Sequence, residues 1–556
     1  MCQDNIILKR FLCATIFIAM IVSCTEKPEN IIVEQQQKIY PVLKNKEVNQ
    51  LLLIDVILKD TLKPAVLKGM SINLKGTDVN DLSSASIFHI KEKHKIGEDP
   101  MLFSTLKKLS EEITFKGNFK LNKEHNYFLL SCTLKENVDI THKVMAYCES
   151  VATMDGFVAA RPLKAPKKLR MGVAVRKHGD DNVHTYRIPG MVTTNDGILL
   201  ASYDVRRDMS RDLQGDIDIG ISRSLDGGNT WEPMIIAMDK GEYGGLPEKF
   251  NGISDASLLV DKKTNTVYLA GLWMHGVINK EGKWIEGLTD ENDEWNHQWK
   301  NKGSQPGFGI KETSQFLISK SNDNGKTWGQ PINITKMCKK KGWWLFAPAP
   351  GRGITMHDGT LVFPTQGRDE QGVSFSNITY STDNGKTWKT SNPAHNNTTE
   401  CAVVELSPGV LMLNMRDNRN RKDKSKTNGR AVYITNDMGK TWKEHSSSHK
   451  ALPEPVCMAS LYQFNINKDN CNNSVLLFSN PNTKEGRNNI TLKASVDNGK
   501  TWPEEKQVLL DEGYGRGYSC ITHVGKDHVG VLYESSQADM TFQKIPLKDL
   551  MINDTN

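Results

Sequence analysis

Between residues 40 and 165, apolar and polar positions alternate in short runs such as VLKGMSINLKG, NYFLLSCTLKE and THKVMAYCESV. A period of two places one side-chain set on a buried face and the other in water. This segment therefore predicts a small β-sandwich. From 166 to 548 the pattern changes to short β-rich runs: GILLASYDV (197–205), TVYLAGLW (266–273), TLVFPTQ (360–366), GVLMLNMR (409–416), SVLLFSN (474–480) and HVGVLYE (528–534). Pro and Gly punctuate them, and no long stretch of helical period competes. The whole chain reads as all-β.

Five copies of Ser/Thr-x-Asp-x-Gly-x-Thr-Trp run through the second region: SLDGGNTW (224–231), SNDNGKTW (321–328), STDNGKTW (381–388), TNDMGKTW (435–442) and SVDNGKTW (495–502). In each, an Asp can accept backbone N–H groups ahead of it, a Gly tolerates positive φ, and Thr-Trp resumes an extended chain with an aromatic to bury. Each copy predicts a hairpin turn with a Trp anchor. Five aspartates cannot all line one active site, so their expected role is structural. Most copies stand about 50–60 residues apart, the size of one four-stranded propeller blade, and the segment has room for six. The expected architecture is a six-bladed β-propeller behind a β-sandwich. The first interval is longer and holds a polar insertion (275–309) with Trp284, Trp295 and Trp299, expected on a functional rim.

Composition narrows the class. The 556 residues carry 71 Lys and Arg against 65 Asp and Glu, and no basic run is dense enough for a nucleic-acid binder. Lys9-Arg10 followed by FLCATIFIAMIV and then Ile21-Val22-Ser23-Cys24 resembles a bacterial lipoprotein signal, with lipid on Cys24. That implies an exported, outer-membrane lipoprotein with residues 25–39 as a polar tether. RPLKAPKKLRMG reads as the linker into the propeller. Seven further cysteines are odd in number and lack CxxC spacing, so no zinc site and no cofactor is indicated, and buried free thiols are expected, although Cys132 and Cys148 could pair.

The chemistry lies outside the repeats. YRIP (186–189) sets Arg187 beside a Pro, NMR (414–416) ends a strand on Arg416, and EGRNNI (485–490) offers Arg487 after another. A lone strand-end arginine is usually a solvated charge. Three on different blades can converge on the propeller axis.

YRIP together with the repeated Asp-boxes resembles the sialidase family, over residues 170–545. The resemblance implies that Arg187, Arg416 and Arg487 form the triad clamping a sialic acid carboxylate, a task suited to planar guanidinium forks. VRRDMSRD (205–212) is similar to the family's Arg-then-Asp stretch, which makes Arg206 a sugar contact and Asp212 the acid/base, with Asp208 and Asp216 as rival carboxylates. GISDASL (252–258) gives Asp255 as a pocket residue. TTECAVVEL (398–406) resembles the Glu-bearing segment and selects Glu400 over Glu405. RGYSC (516–520) gives Tyr518 as nucleophile, with Tyr514 as the alternative, and VLYE ends on Glu534, which by family pattern orients Arg187. A neutral phenol avoids the repulsion that a carboxylate nucleophile would meet at an anomeric carbon bearing its own carboxylate. The resemblance thus implies a metal-independent exo-sialidase acting on sialylated glycans with retention. Its alternatives are a trans-sialidase, including an anhydro-forming one, and a non-catalytic propeller that binds sialoglycans.

Overall fold

The computed structural model describes residues 30–550, apart from 94–99, 214, most of 278–303, and 469–470. The signal segment and Cys24 lie outside the described residues, as does most of the 275–309 insertion with its three tryptophans.

Two sheets build the amino-terminal region. One orders the strands Ile31–Gln36, Asn49–Leu58, His125–Leu134, Leu82–Ile90 and Met101–Leu106; the other orders Gly156–Ala159, Tyr147–Thr153, Ala65–Asn73 and Glu112–Leu121. Ile54, Val56, Ile87 and Phe128 of the first sheet bury against Met70, Ile72, Phe115 and Val151 of the second. The expected tether is corrected here: Ile31–Gln36 is an edge strand paired with Leu58–Leu53. Its Ile31 and Val33 are buried in the sandwich core, which a solvated linker would not provide. The alternation IIVEQQ supplies that apolar face, and the polar letters around it hide the signal.

Six antiparallel blades follow, around a common axis. Their innermost strands are Thr185–Thr193, Asn251–Val260, Leu345–Pro348, Thr398–Ser407, Ser460–Lys468 and Ser519–Val524, with Gly351–Arg352 and Ile354–Thr355 continuing the third. The six apolar runs named above are the second strands: Leu199–Arg206, Val267–His275, Leu361–Arg368, Val410–Asp417, Cys471–Pro481 and His528–Tyr533. Blades pack face to face, so a second strand such as LLASYDVR is buried at every position and reads as a continuous apolar run.

The repeat count follows from how the ring closes. In five blades the third strand ends on the Ser or Thr that opens an Asp-box: Ser224, Ser321, Ser381, Thr435 and Ser495. In the sixth, the third strand Met540–Pro546 pairs with Leu169–Arg176 from the other end of the propeller, Val173 facing Phe542. No chain turns between those two strands, so no box is needed. The boxes share one geometry. In the second, Ser321 Oγ donates to Asp323 Oδ1 at 2.8 Å and accepts Gly325 N–H at 2.9 Å, while Thr327 N–H and its hydroxyl donate to the two Asp323 oxygens at 2.9 and 2.5 Å. Asn324 and Gly325 are consecutively left-handed, at φ 58° and 77°, which is why Asn-Gly recurs there.

Cys132, Cys148, Cys338, Cys401, Cys457 and Cys520 are buried free thiols. The alternative of a Cys132–Cys148 disulfide is therefore not adopted. Burial pushes both thiols up to about 12.

Candidate active site

First and second strands of a blade run antiparallel, so the start of one and the end of the other meet at the same mouth of the axis. Arg187 and Glu400 lie near the starts of innermost strands, Asp255 lies midway along one, at its bulge, and Tyr518 directly precedes one. Arg206 and Arg416 lie at the ends of second strands. Local irregularity then aims the side chains. Pairing shifts register between Arg187 and Gly190, between Ser254 and Ser257, and between Thr398 and Cys401. Ile188 and Asp255 take φ of 62° and 56°. Three blades thus carry a bulge at a site residue, a device that turns a side chain out of the regular pleat.

Tyr518 forms the centre. Its hydroxyl donates to Glu400 Oε1 and lies 2.9 Å from Arg416 Nη1, which also donates to Glu400 Oε2 at 2.5 Å. The guanidinium carbons of Arg187 and Arg487 stand 5.6 and 5.4 Å from the tyrosine ring centre. All three triad arginines therefore surround one phenol. Burial, then the Glu400 charge, hold that phenol well above its usual pKa, while Arg416 and Arg487 pull the other way. It stands neutral.

Each guanidinium is held differently. Arg187 Nε donates to Glu534 Oε1 at 2.6 Å, and the same carboxylate accepts the backbone N–H of Ile188 at 2.9 Å and of Tyr518 at 3.0 Å. Glu534 therefore ties the arginine of one blade to the tyrosine of another. Arg416 Nε is buried with no hydrogen-bond partner among the described residues. Among the described residues Arg487 donates to the carbonyls of Arg516 at 2.9 Å and Val456 at 3.3 Å, and no carboxylate pairs with its charge.

Asp212 stands at the mouth with 68% of its side chain exposed, 2.6 Å from Arg206 Nη1 and 3.6 Å from Arg187 Nη1. Enclosure works against ionisation, but the two arginines outweigh it and bring the carboxyl below its usual range. Asp255 is the opposite case. Burial first, then the charges of Glu400, Asp204 and Asp212, hold it well above the usual carboxylate range, which favours its protonated form.

The alternatives sit elsewhere. Asp208 is exposed, and Asp216 pairs with Arg207 at 3.4 Å. Glu405 accepts the backbone N–H groups of His357 and Gly409 in a turn, at 2.7 and 2.8 Å. Tyr514 is 75% exposed. Two contributors were not singled out in the sequence. Asp204 is fully buried and accepts from Arg206 Nη2 at 2.8 Å and from Ser254 at 2.6 Å; Gln366 donates to Asp255 at 3.3 Å. Asp204 was within reach of sequence reasoning, because it lies two residues before Arg206 and shares its face of the strand. Away from this site, Asp78, Asp81 and His142 of the sandwich lie close together, with His142 already bound to Asp81 at 2.8 Å.

Comparison with known proteins places this geometry. Residues 188–529 match the model of a BNR repeat-like domain, and residues 90–156 match the N-terminal domain of BNR-repeat neuraminidase. The chain is 48% identical to a sialidase of Bacteroides fragilis over 442 residues, covering 79% of this chain and 76% of that one. It is similar in structure to a protein described as Hadza microbial sialidase Hz136, at a TM-score of 0.83 and 38% identity, covering 93% and 99% of the two chains. The intramolecular trans-sialidase from Ruminococcus gnavus matches at a TM-score of 0.52 and 17% identity over 67% of this chain and 96% of that one, a likeness of fold alone.

Proposed function

The chain belongs to the BNR-repeat sialidase family and is an exo-α-sialidase, and we propose that it removes terminal sialic acid from sialylated glycans with retention, through a covalent bond to Tyr518. The observation that carries this reading is the phenol donating to Glu400 inside a ring of Arg187, Arg416 and Arg487.

The substrate carboxylate enters against Arg487, Arg416 and Arg187, where charge-assisted guanidinium bonds fix the sugar. Asp255 and Arg206 border the same pocket. As the Tyr518 oxygen bonds to the anomeric carbon, its proton passes to Glu400, and Asp212 gives a proton to the departing glycosidic oxygen. Asp212 then takes a proton from water as the water oxygen attacks the anomeric carbon. The carbon–tyrosine bond breaks, and Glu400 returns the proton to the phenolate. Two inversions leave the anomeric configuration unchanged.

The depressed pKa of Asp212 in the free enzyme leaves it ionised, so its acid role requires substrate to restore the proton. A bound carboxylate adds negative charge beside Asp212 and neutralises Arg187, and both effects favour protonation of Asp212. Export and a lipid on Cys24 form part of the same proposal, supported by the IVSC stretch and by the glycan substrate.

Proton NMR during cleavage of a sialyl oligosaccharide tests the reading. The α-anomer of free sialic acid is expected first. An anhydro sugar or a new sialoside would instead establish transfer, and initial β-anomer would overturn retention.

A further inference from the structure

A large cavity lies at the far mouth of the axis from Tyr518. It measures about 1520 Å³ and is lined from all six blades, where the innermost strands end. Five cationic side chains border it (Lys262, Lys263, Arg352, Lys526 and Lys548) against two acids, Glu405 and Asp527. Both acids are engaged locally. Glu405 accepts two backbone N–H groups in its turn, and Asp527 lies 2.7 Å from His528 Nδ1.

Arg352, half-buried, differs from most of the inward-facing arginines of this protein. Arg187, Arg206, Arg416 and Arg430 each have a carboxylate partner: Glu534, Asp204, Glu400 and Glu454. Arg352 has none among the described residues. Its guanidinium lies 4.5 Å over the ring of Tyr462, and its Nε is buried without a hydrogen-bond partner. The neighbouring His523 cannot supply negative charge. Its Nδ1 lies 2.7 Å from the Tyr462 hydroxyl, and burial, then Arg352 and Lys262, hold the ring down at about 4, so it is neutral. A guanidinium partly withdrawn from water without a counter-ion favours an anion beside it, and the planar fork matches an oxyanion.

We propose that this far cavity binds a phosphate- or sulfate-bearing ligand, with Arg352 as the main contact and Lys262 beside it. The positive excess exceeds one charge, so a single carboxylate would leave a cation uncompensated, whereas a dianion or a chain of sulfates would not. The volume exceeds that of ordinary small-molecule pockets, about 300–1,000 Å³, and leaves room for several sugar units. The site is remote from Tyr518, so it is a second binding site and takes no part in hydrolysis.

Isothermal titration at constant ionic strength tests this, with the Tyr518 site saturated by an unsaturated sialic acid analogue so that the triad cannot capture the probe. Inorganic phosphate, inorganic sulfate and a heparin-derived tetrasaccharide are compared. Saturable binding of at least one is expected, weakened at least tenfold in Arg352→Gln and in Lys262→Gln, with sialoside hydrolysis unchanged in both. Equal binding of the free ions identifies a free anion as the source; binding of the tetrasaccharide alone identifies a sulfated glycan. Should Arg352→Gln fail to fold, Lys262→Gln decides, because its side chain is exposed. The proposal is overturned if no probe binds the wild type saturably, or if the folded variants bind as the wild type does.

Discussion

The Tyr518 hydroxyl donates to Glu400 Oε1, across a sequence separation of 118 residues. This pairing gives the phenol a base without giving it a charge, and Arg416 holds the base in place from its other oxygen. Tyr518→Phe removes only the hydroxyl from a buried ring. Folding and inhibitor binding should survive, while turnover falls by several orders of magnitude. Glu400→Gln should also slow turnover, because the phenol loses its proton acceptor. A 2,3-difluorinated sialic acid followed by peptide mass spectrometry should place the label on Tyr518. Label on Tyr514 or Glu400 would reject the assignment.

Asp212→Ala should separate substrates by leaving group. A natural sialoside needs its departing oxygen protonated, so its turnover should fall on the order of 10²–10⁴-fold. An aryl sialoside with an acidic phenol leaves unaided and should lose far less in the first step. Equal losses for both substrates would remove Asp212 from the acid role.

The triad arginines should fail in different ways. Arg487 hydrogen-bonds to carbonyls and makes no hydrogen bond to Glu400 or Tyr518 among the described residues, so Arg487→Ala should weaken transition-state binding by roughly 2–5 kcal/mol with a parallel loss of inhibitor affinity. Arg416→Ala also releases Glu400 and Tyr518 and should lower kcat beyond its effect on inhibitor binding. Matching kcat-to-affinity ratios in the two variants would contradict this distinction.

The Asp-boxes predict a stability phenotype. Asp497→Ala removes a hairpin network and should cost about 1 kcal/mol, leaving the kinetic constants of folded enzyme near wild type. Asp323 adds a pH dependence. Although partial burial opposes it, hydrogen bonds from Thr327 and Ser321 bring its pKa from 3.8 to about 2. A pKa depressed by folding contributes stability that is complete above the unfolded value and lost as pH falls through the folded one. Tm should therefore fall between about pH 4 and pH 2, and less steeply in Asp323→Asn. Identical slopes in both proteins would exclude this contribution.

These contrasts also explain what the sequence disclosed. The boxes and the second strands were legible because local turn chemistry and continuous apolar runs are written in adjacent letters. Ile31–Gln36 was not, because an edge strand with one buried face differs little from a polar linker until its partner at 53–58 is known. The bulges at Arg187, Asp255 and Glu400 depend on register between strands, which no single strand records. The site residues emerged from short motifs resembling those of a family, whereas Gln366, reaching Asp255 across 111 residues, carries no motif at all.

The edge strand sharpens the expectation for the amino terminus. With Ile31 fixed in the sandwich, only residues 25–30 remain between Cys24 and the folded protein. At about 3.3–3.6 Å per extended residue, six residues reach roughly 20 Å. A lipid on Cys24 would hold the sandwich against the membrane surface. Wild-type protein expressed in a Gram-negative host should fractionate with membranes and carry a diacylglyceryl group on an amino-terminal Cys24. Cys24→Ser should be soluble and equally active on a soluble sialoside, because the active site lies in the propeller. Inserting a flexible ten-residue segment after Glu26 should raise the rate on bulky membrane-bound sialoglycans while leaving small substrates unaffected. Soluble wild-type protein with no lipid on Cys24 would end the anchor reading, and an unchanged rate after insertion would end the argument from tether length.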